Sequence, residues 1–305
     1  MILTRRAFSK LVLAATASLW VTRPTAARDN FNFFVVGDWG RKHSDGQRRV
    51  ARAMSEIASM SRPKFVISTG DNFYSSGVSS DTDKLWTEAF ENVYSAEPLR
   101  CPWYAVLGNH DYRGNVDAQI SYARRNSRWV MPSRYYQHVE PVGDSSRIEF
   151  FFLDTTPLVS RRPRLWTRWV YGADPDIQID WLKKSLRTSS AQCKIVVGHH
   201  PIVSAGPRLA SPLLVKRVKP LLEAYGVQAY FSGHEHNLQH HVVSGIHYFV
   251  CGSGSRVTAA INNDRAQFSA SVLGFIRAAA TASALEVDFV DERARVIHSS
   301  RVSIG

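Results

Sequence analysis

The apolar positions of this chain fall into short, separated runs. Phe31 to Val36, Lys64 to Ser68, Trp103 to Leu107, Arg147 to Leu153, Lys194 to Val197, Val227 to Phe231 and His247 to Val250 are rich in β-branched and aromatic residues and too short for helices. They predict buried strands. Between them, apolar residues recur at helical spacing over Gln47 to Met60, Trp86 to Tyr94, Ile179 to Leu186 and Leu213 to Tyr225. Strand and helix alternate along the chain, which points to an α/β fold rather than separate all-α and all-β pieces. Two stretches follow neither period. Thr155 to Asp176 carries Arg161, Arg162, Arg164 and Arg168 among Pro157, Pro163 and Pro175, and is expected to project as an exposed connection. Gly252 to Phe268 opens with Gly252-Ser253-Gly254-Ser255, either a plain turn or a place where backbone amides meet an anion.

The 305 residues, 44% of them hydrophobic, suffice for one sizeable core. Residues 1–27 carry a separate message. Thr4-Arg5-Arg6-Ala7-Phe8-Ser9-Lys10, an apolar run from Leu11 to Val21, and Thr25-Ala26-Ala27 resemble a bacterial twin-arginine signal with its cleavage site. The run falls short of the ~20 residues that a transmembrane helix needs, so no stable membrane span is expected after cleavage. The alternatives are an uncleaved anchor or a stray basic terminus. On the signal reading, the export machinery is a partner of the precursor. A single domain then spans 28–305, and the mature protein is periplasmic or secreted.

Removing Arg5, Arg6, Lys10 and Arg23 with the signal lowers the formal charge from +12 to +8. A positive field draws anionic substrates, although a solvated surface explains most of these side chains equally well. No aromatic-interleaved basic repeat points to nucleic acid. Cys101, Cys193 and Cys251 lie in or beside predicted strands. Their odd number argues against a disulfide framework, and they read as buried free thiols.

The chemistry is concentrated in five motifs, each following a predicted strand: Asp38-Trp39-Gly40, Gly70-Asp71-Asn72-Phe73-Tyr74, Gly108-Asn109-His110-Asp111, Gly198-His199-His200 and Gly233-His234-Glu235-His236. In open α/β sheets, loops beyond the carboxyl ends of strands converge on ligands. Carboxylate, phenol, amide and imidazole donors suit iron, zinc or manganese, with no need for thiolate. Taken alone, Asp38 reads equally as a turn aspartate, whereas two histidines one residue apart after an apolar run carry the most information. Together the five motifs supply the ligands of a two-metal hydrolase.

The set Asp-x-Gly, Gly-Asp-x-x-Tyr, Gly-Asn-His-Asp, Val-x-x-His and Gly-His-x-His resembles the calcineurin-like metallophosphoesterases, and specifically the small, tartrate-resistant type of purple acid phosphatase. Tyr74 makes that distinction. Gly108 to Asn115, Tyr135-Tyr136, Trp181-Leu182-Lys183-Lys184 and Gly233 to Gln239 extend the match, which runs from about Phe33 to Ser255. The resemblance implies a four-layer α/β/β/α sandwich of two mixed sheets, with a binuclear metal centre at one edge. It implies an iron(III) site from Asp38, Asp71, Tyr74 and His236, and a site for divalent iron, zinc or manganese from Asp71, Asn109, His199 and His234. Asp71 would bridge.

Two metals ~3.5 to 4 Å apart orient a phosphate ester and provide hydroxide on the acid side of neutral. His110, not needed as a ligand, is assigned to the phosphoryl oxygens and the leaving alkoxide, with Asp111 orienting its ring. The alternative for His110 is a structural role beside the site. His200 is a weaker catalytic candidate, because a residue adjacent to a ligand in extended chain points away. His240 and His241 are expected on an exposed strand. One departure stands out. Relatives carry an acidic residue and a histidine before a Gly-Pro, where this chain has Ser204-Ala205-Gly206-Pro207. The expected activity is an exported acid phosphatase acting on small anionic phosphomonoesters through a metal-bound hydroxide. The alternatives are a phosphodiesterase of the same fold and a non-catalytic metal or phosphate binding protein.

Overall fold

A computed structural model describes residues 30–143, 146–162, 164–260 and 266–304. The twin-arginine segment expected at 1–27 lies outside the described residues, among which no helix is long and apolar enough to cross a membrane. Strands β1 (Phe31–Val36), β2 (Pro63–Ser68), β3 (Trp103–Ala105) and β4 (Trp129–Val130) run parallel and form one half of the first sheet. The second sheet is built from β5 (Tyr136–Val142), β6 (Ser146–Phe152), β7 (Cys193–Val197), β8 (Ala229–Ser232), β9 (Leu238–Val243), β10 (Ile246–Cys251) and β11 (Phe268–Ala270). Within it β6, β7, β8 and β10 are parallel. The chain then returns to the first sheet as the antiparallel β12 (Gly274–Ala280), β13 (Ala284–Asp291) and β14 (Val296–Ser303). The spatial orders are 14-13-12-1-2-3-4 and 11-9-10-8-7-6-5.

Alternation of side chains along each strand sets the layers. Phe150 and Phe152 of β6 face the first sheet, where Phe33 meets Phe150 edge-on at 5.4 Å and Phe231 at 6.3 Å. Phe151 on the same strand turns outward, with Leu153 beyond it, toward α5 (Pro175–Thr188), α6 (Pro212–Arg217) and α7 (Lys219–Ala224), through Leu182, Leu186, Leu214 and Leu222. The other outer face is covered by α1 (Asp45–Met60), with Val50, Met54 and Ile57 buried. The helix starts where the Ser44 hydroxyl accepts from the Gln47 amide. The expected α/β/β/α sandwich of two mixed sheets is therefore the observed fold.

Several local expectations need correction. Trp86 to Tyr94 was expected as an ordinary helix but forms a π-helical turn over Trp86–Glu91, with Trp86 stacked on Tyr122 at 3.6 Å. Leu213 to Tyr225 breaks into α6 and α7, because Pro220 has no amide hydrogen to continue the first helix. The Arg-rich connection is helical: α3 (Thr155–Leu158) is a buried turn and α4 (Arg164–Tyr171) follows it, with α2 (Val116–Arg125) earlier in the chain. His240 and His241 lie on β9 as expected of a strand, but both are buried rather than exposed. Cys193 and Cys251 are buried free thiols, while Cys101 is free and only half-buried.

Candidate metal centre

All five motifs leave the carboxyl ends of neighbouring parallel strands: β1, β2 and β3 in one sheet, β7 and β8 in the other. The loops meet between the two sheets at one edge of the sandwich. The chain there is held in unusual conformations. Asp38, Asp71 and His234 have φ of 58°, 50° and 69°, a left-handed region that costs non-glycine residues energy and is kept where surrounding structure demands it. Gly70 has φ of 92°, and a Cβ there would come within 2.9 Å of His199 Nδ1, so the position requires glycine.

On one side, four donor atoms crowd together. Tyr74 Oη lies 2.8 Å from both Asp38 Oδ1 and Asp71 Oδ2, and 3.2 Å from His236 Nε2, which is also 3.2 Å from Asp38 Oδ1. The phenol has one proton and can donate to only one of the two carboxylates. Burial, and then the charges of Asp38 and Asp71, push the Tyr74 phenol far above its ordinary range. Burial also raises Asp38, but its hydrogen bond with His236 and the charges of His199, His236 and His234 outweigh this and leave it near 2. Oxygen-rich and buried, the cluster is one that a highly charged cation would relieve, so the donor set fits a hard metal ion.

On the other side, His199 Nδ1 donates to the Thr69 carbonyl at 2.9 Å, which leaves Nε2 with a lone pair. That nitrogen faces Asn109 Oδ1 at 3.2 Å, His234 Nδ1 at 3.2 Å and Asp71 Oδ1 at 3.5 Å. Ligands about 2.1 Å from a metal sit about 3.0 to 3.4 Å from each other, so the two 3.2 Å spacings match edges of a coordination polyhedron and the 3.5 Å one lies just beyond. Asp71 turns Oδ2 to the first cluster and Oδ1 to the second. Burial, followed by His199, drives His234 down to about 3, which keeps its ring neutral and its lone pair available.

His110 stands at the mouth. Its Nδ1 donates to the Ser75 carbonyl at 2.6 Å, its ring lies 4.4 Å from that of Tyr74, and Nε2 points toward the carboxylates, 4.0 Å from Asp71 Oδ2. Asp111 does not orient this ring, contrary to expectation. The turn Asp111–Arg113 carries its carboxylate inward, where it accepts from the amides of Gly108 at 2.8 Å and Asn72 at 3.1 Å and from Gln119 Nε2 at 2.9 Å. It ties the loops bearing Asp71 and Asn109 together. Burial and the charge of Asp71 raise its carboxyl to about 7. His200 turns its Nδ1 to Thr155 Oγ1 at 2.9 Å and lays its ring 4.5 Å from that of His234. Burial, His199 and His234 hold it well below the ordinary imidazole range.

Other contributors were not anticipated. Thr155 Oγ1 accepts from the amides of His199 and His200. Arg41 lays its guanidinium 3.6 Å from the centre of the Tyr74 ring. Arg208 Nη1 donates to the His234 carbonyl at 2.6 Å, while its amide donates to the buried Glu235 carboxylate at 2.6 Å. Arg41 directly follows Asp-Trp-Gly and Glu235 sits between His234 and His236, so both were visible as polar residues attached to motifs. Thr155 and Arg208 carry no such mark.

Comparison with known proteins agrees with this geometry. The calcineurin-like phosphoesterase family model matches residues 31–238. Purple acid phosphatase 3 of Arabidopsis thaliana is 36% identical over 302 residues, covering 90% of this chain and 78% of the relative. Tartrate-resistant acid phosphatase type 5 of Rattus norvegicus is 37% identical over 256 residues, covering 79% and 77%. Among solved structures, GAP50, described as the anchor in the inner membrane complex of Plasmodium, superposes with a TM-score of 0.83 at 28% identity, over 91% of this chain and 90% of that one. The purple acid phosphatase PPD1 of yellow lupin shares the fold, with a TM-score of 0.67 at 16% identity over 90% of this chain and 54% of its own. With the family model over most of the chain and relatives 36 and 37% identical along most of it, the chain belongs to the calcineurin-like phosphoesterases and, within them, to the purple acid phosphatases.

Proposed function

We propose that the protein is an exported acid phosphatase that hydrolyses phosphomonoesters with a binuclear centre. Asp38, Asp71, Tyr74 and His236 would hold iron(III), and Asp71, Asn109, His199 and His234 a divalent ion. The observation that carries this reading is Asp71, whose two oxygens face two separate sets of donors. When bound, the two cations supply Lewis acidity to the phosphoryl group and a hydroxide nucleophile at mildly acidic pH.

The chain's own groups do the rest. His110 is fixed by Ser75 at Nδ1, so Nε2 is the nitrogen presented to the substrate. From Nε2 it would donate to an ester oxygen and leave its proton on the departing alkoxide. Asp111 holds the loops that aim Asp71 and Asn109. His200, bonded to Thr155, packs behind His234 and keeps that side of the site uncharged. The basic surface favours approach of anionic esters. Cleavage after 1–27 through the twin-arginine route would deliver the folded enzyme to the periplasm or beyond.

The test compares a chromogenic phosphomonoester with the matching diester, using protein of known metal content at mildly acidic pH. Preferential monoester turnover is expected. Faster diester turnover would replace the reading with a phosphodiesterase, and none on either ester at full metal occupancy would make it a binding protein.

A further inference from the structure

Beyond Thr155 the Arg-rich segment is not used by the metal centre, and its helix turns apolar side chains outward. At 100° per residue, Leu165 and Val170 bound one face of α4, and Tyr171 lies opposite the middle of that face. Tyr171 turns inward. Its ring meets that of Tyr112 edge-on at 5.1 Å, and its carbonyl accepts from Arg134 Nη1 at 2.7 Å. The apolar residues face the other way: Leu165 is 79% exposed and Val170 44%. Arg161, Arg162 and Arg168 are exposed beside them, and no aspartate or glutamate occurs from Thr155 to Ala173. Surface helices ordinarily bury their apolar side. This one shows apolar side chains to solvent within a wholly cationic stretch.

We propose that α4, with Arg161 and Arg162, is a docking element that seats the protein on a bilayer containing anionic phospholipid. A protein partner fits less well. A stable protein interface buries about 800 Å² on each side, and a helix about 12 Å long offers a small part of that. A lipid surface requires no matching groove. Apolar side chains enter the acyl boundary while arginines remain among the phosphates, and each basic residue near such a surface strengthens binding about fivefold.

The experiment uses metal-loaded chain from Arg28 to Gly305, which keeps every strand and helix of the described residues. It is sedimented with vesicles of phosphatidylcholine alone, or with about one third phosphatidylglycerol. Inorganic phosphate is added to occupy the metal site, so that lipid headgroups held there do not contribute. Partition onto the anionic vesicles is expected, and its loss at roughly 0.5 M salt. Arg161→Glu with Arg168→Glu should weaken it at least ~25-fold. Leu165→Asp with Val170→Asp should weaken it too, both pairs keeping turnover on a small soluble ester. No preference for anionic vesicles, or equal partition of the wild type and both variants, overturns the proposal. Self-association that Leu165→Asp with Val170→Asp abolishes, without vesicle binding, would assign the face to a second copy of the chain and overturn it as well.

Discussion

Acidification should cost this fold stability through one buried imidazole. His240 is 3% exposed, stacked 4.7 Å from Phe249, with Nδ1 3.0 Å from His298 Nε2 on β14 and Nε2 3.0 Å from His247 Nδ1 on β10. It thus joins the two sheets. Burial, and then the neighbouring imidazoles of His247, His298 and His241, push it down to about 3. An unfolded histidine titrates near 6.5. Below that pH the unfolded chain takes up a proton that the folded chain refuses, so stability rises with pH and falls on acidification. At about pH 5 the difference is ~2 kcal/mol for this ring, and at about pH 7.5 it is close to zero. His240→Phe keeps a ring on Phe249 and cannot titrate. Urea unfolding of metal-loaded wild type should therefore lose about 1 to 2 kcal/mol more than the variant between these two pH values. Both proteins carry the same metals, so metal linkage cancels in the comparison. The variant also loses two ring contacts and starts lower, which makes the slope the readout. Parallel stability curves would refute an uncharged His240 in the fold.

Three further outcomes follow from the site. His110→Ala should lower kcat by roughly 10² to 10⁴ with metal content unchanged, and near-normal turnover would remove the proton-donor role. Asp111→Ala leaves the Gly108 and Asn72 amides without their acceptor. It should cost roughly 3 kcal/mol or more in thermal unfolding and loosen metal retention, whereas an unchanged Tm would show that the carboxylate ties nothing together. Arg41→Gln takes a positive charge from the face of the Tyr74 ring, where its buried Nε has no hydrogen-bond partner among the described residues. In iron-loaded protein the phenolate absorption should shift to longer wavelength, with Arg41→Lys between the two, and an unmoved band would deny the guanidinium any influence on the ring.

The parallel halves of both sheets were legible because β1, β2, β6, β7, β8 and β10 are buried on both faces and read as continuous apolar runs. The returning strands β12 to β14 were not assigned. Their signal is alternation, as in β13, where Leu285, Val287 and Phe289 are buried against polar neighbours, and it is diluted by the alanines of β12 and the polar, half-exposed β14. The motifs located the donor residues, since a glycine and a hard donor after a buried strand leave few other uses for such a loop. Which way each side chain turns was beyond them. Asp111 was placed beside His110 by adjacency, yet the short turn that follows rotates it toward backbone amides. Thr155 and Arg208 reach the site from loops with no motif, so only the packing of the two sheets reveals them.

The most direct test of the iron–tyrosine reading is the visible absorption spectrum of oxidised protein with iron in both sites, measured beside Tyr74→Phe at equal metal content. A broad visible band that colours the wild type purple and is missing from Tyr74→Phe is the predicted result. A colourless wild type at full iron occupancy, or a band that survives in Tyr74→Phe, would contradict it.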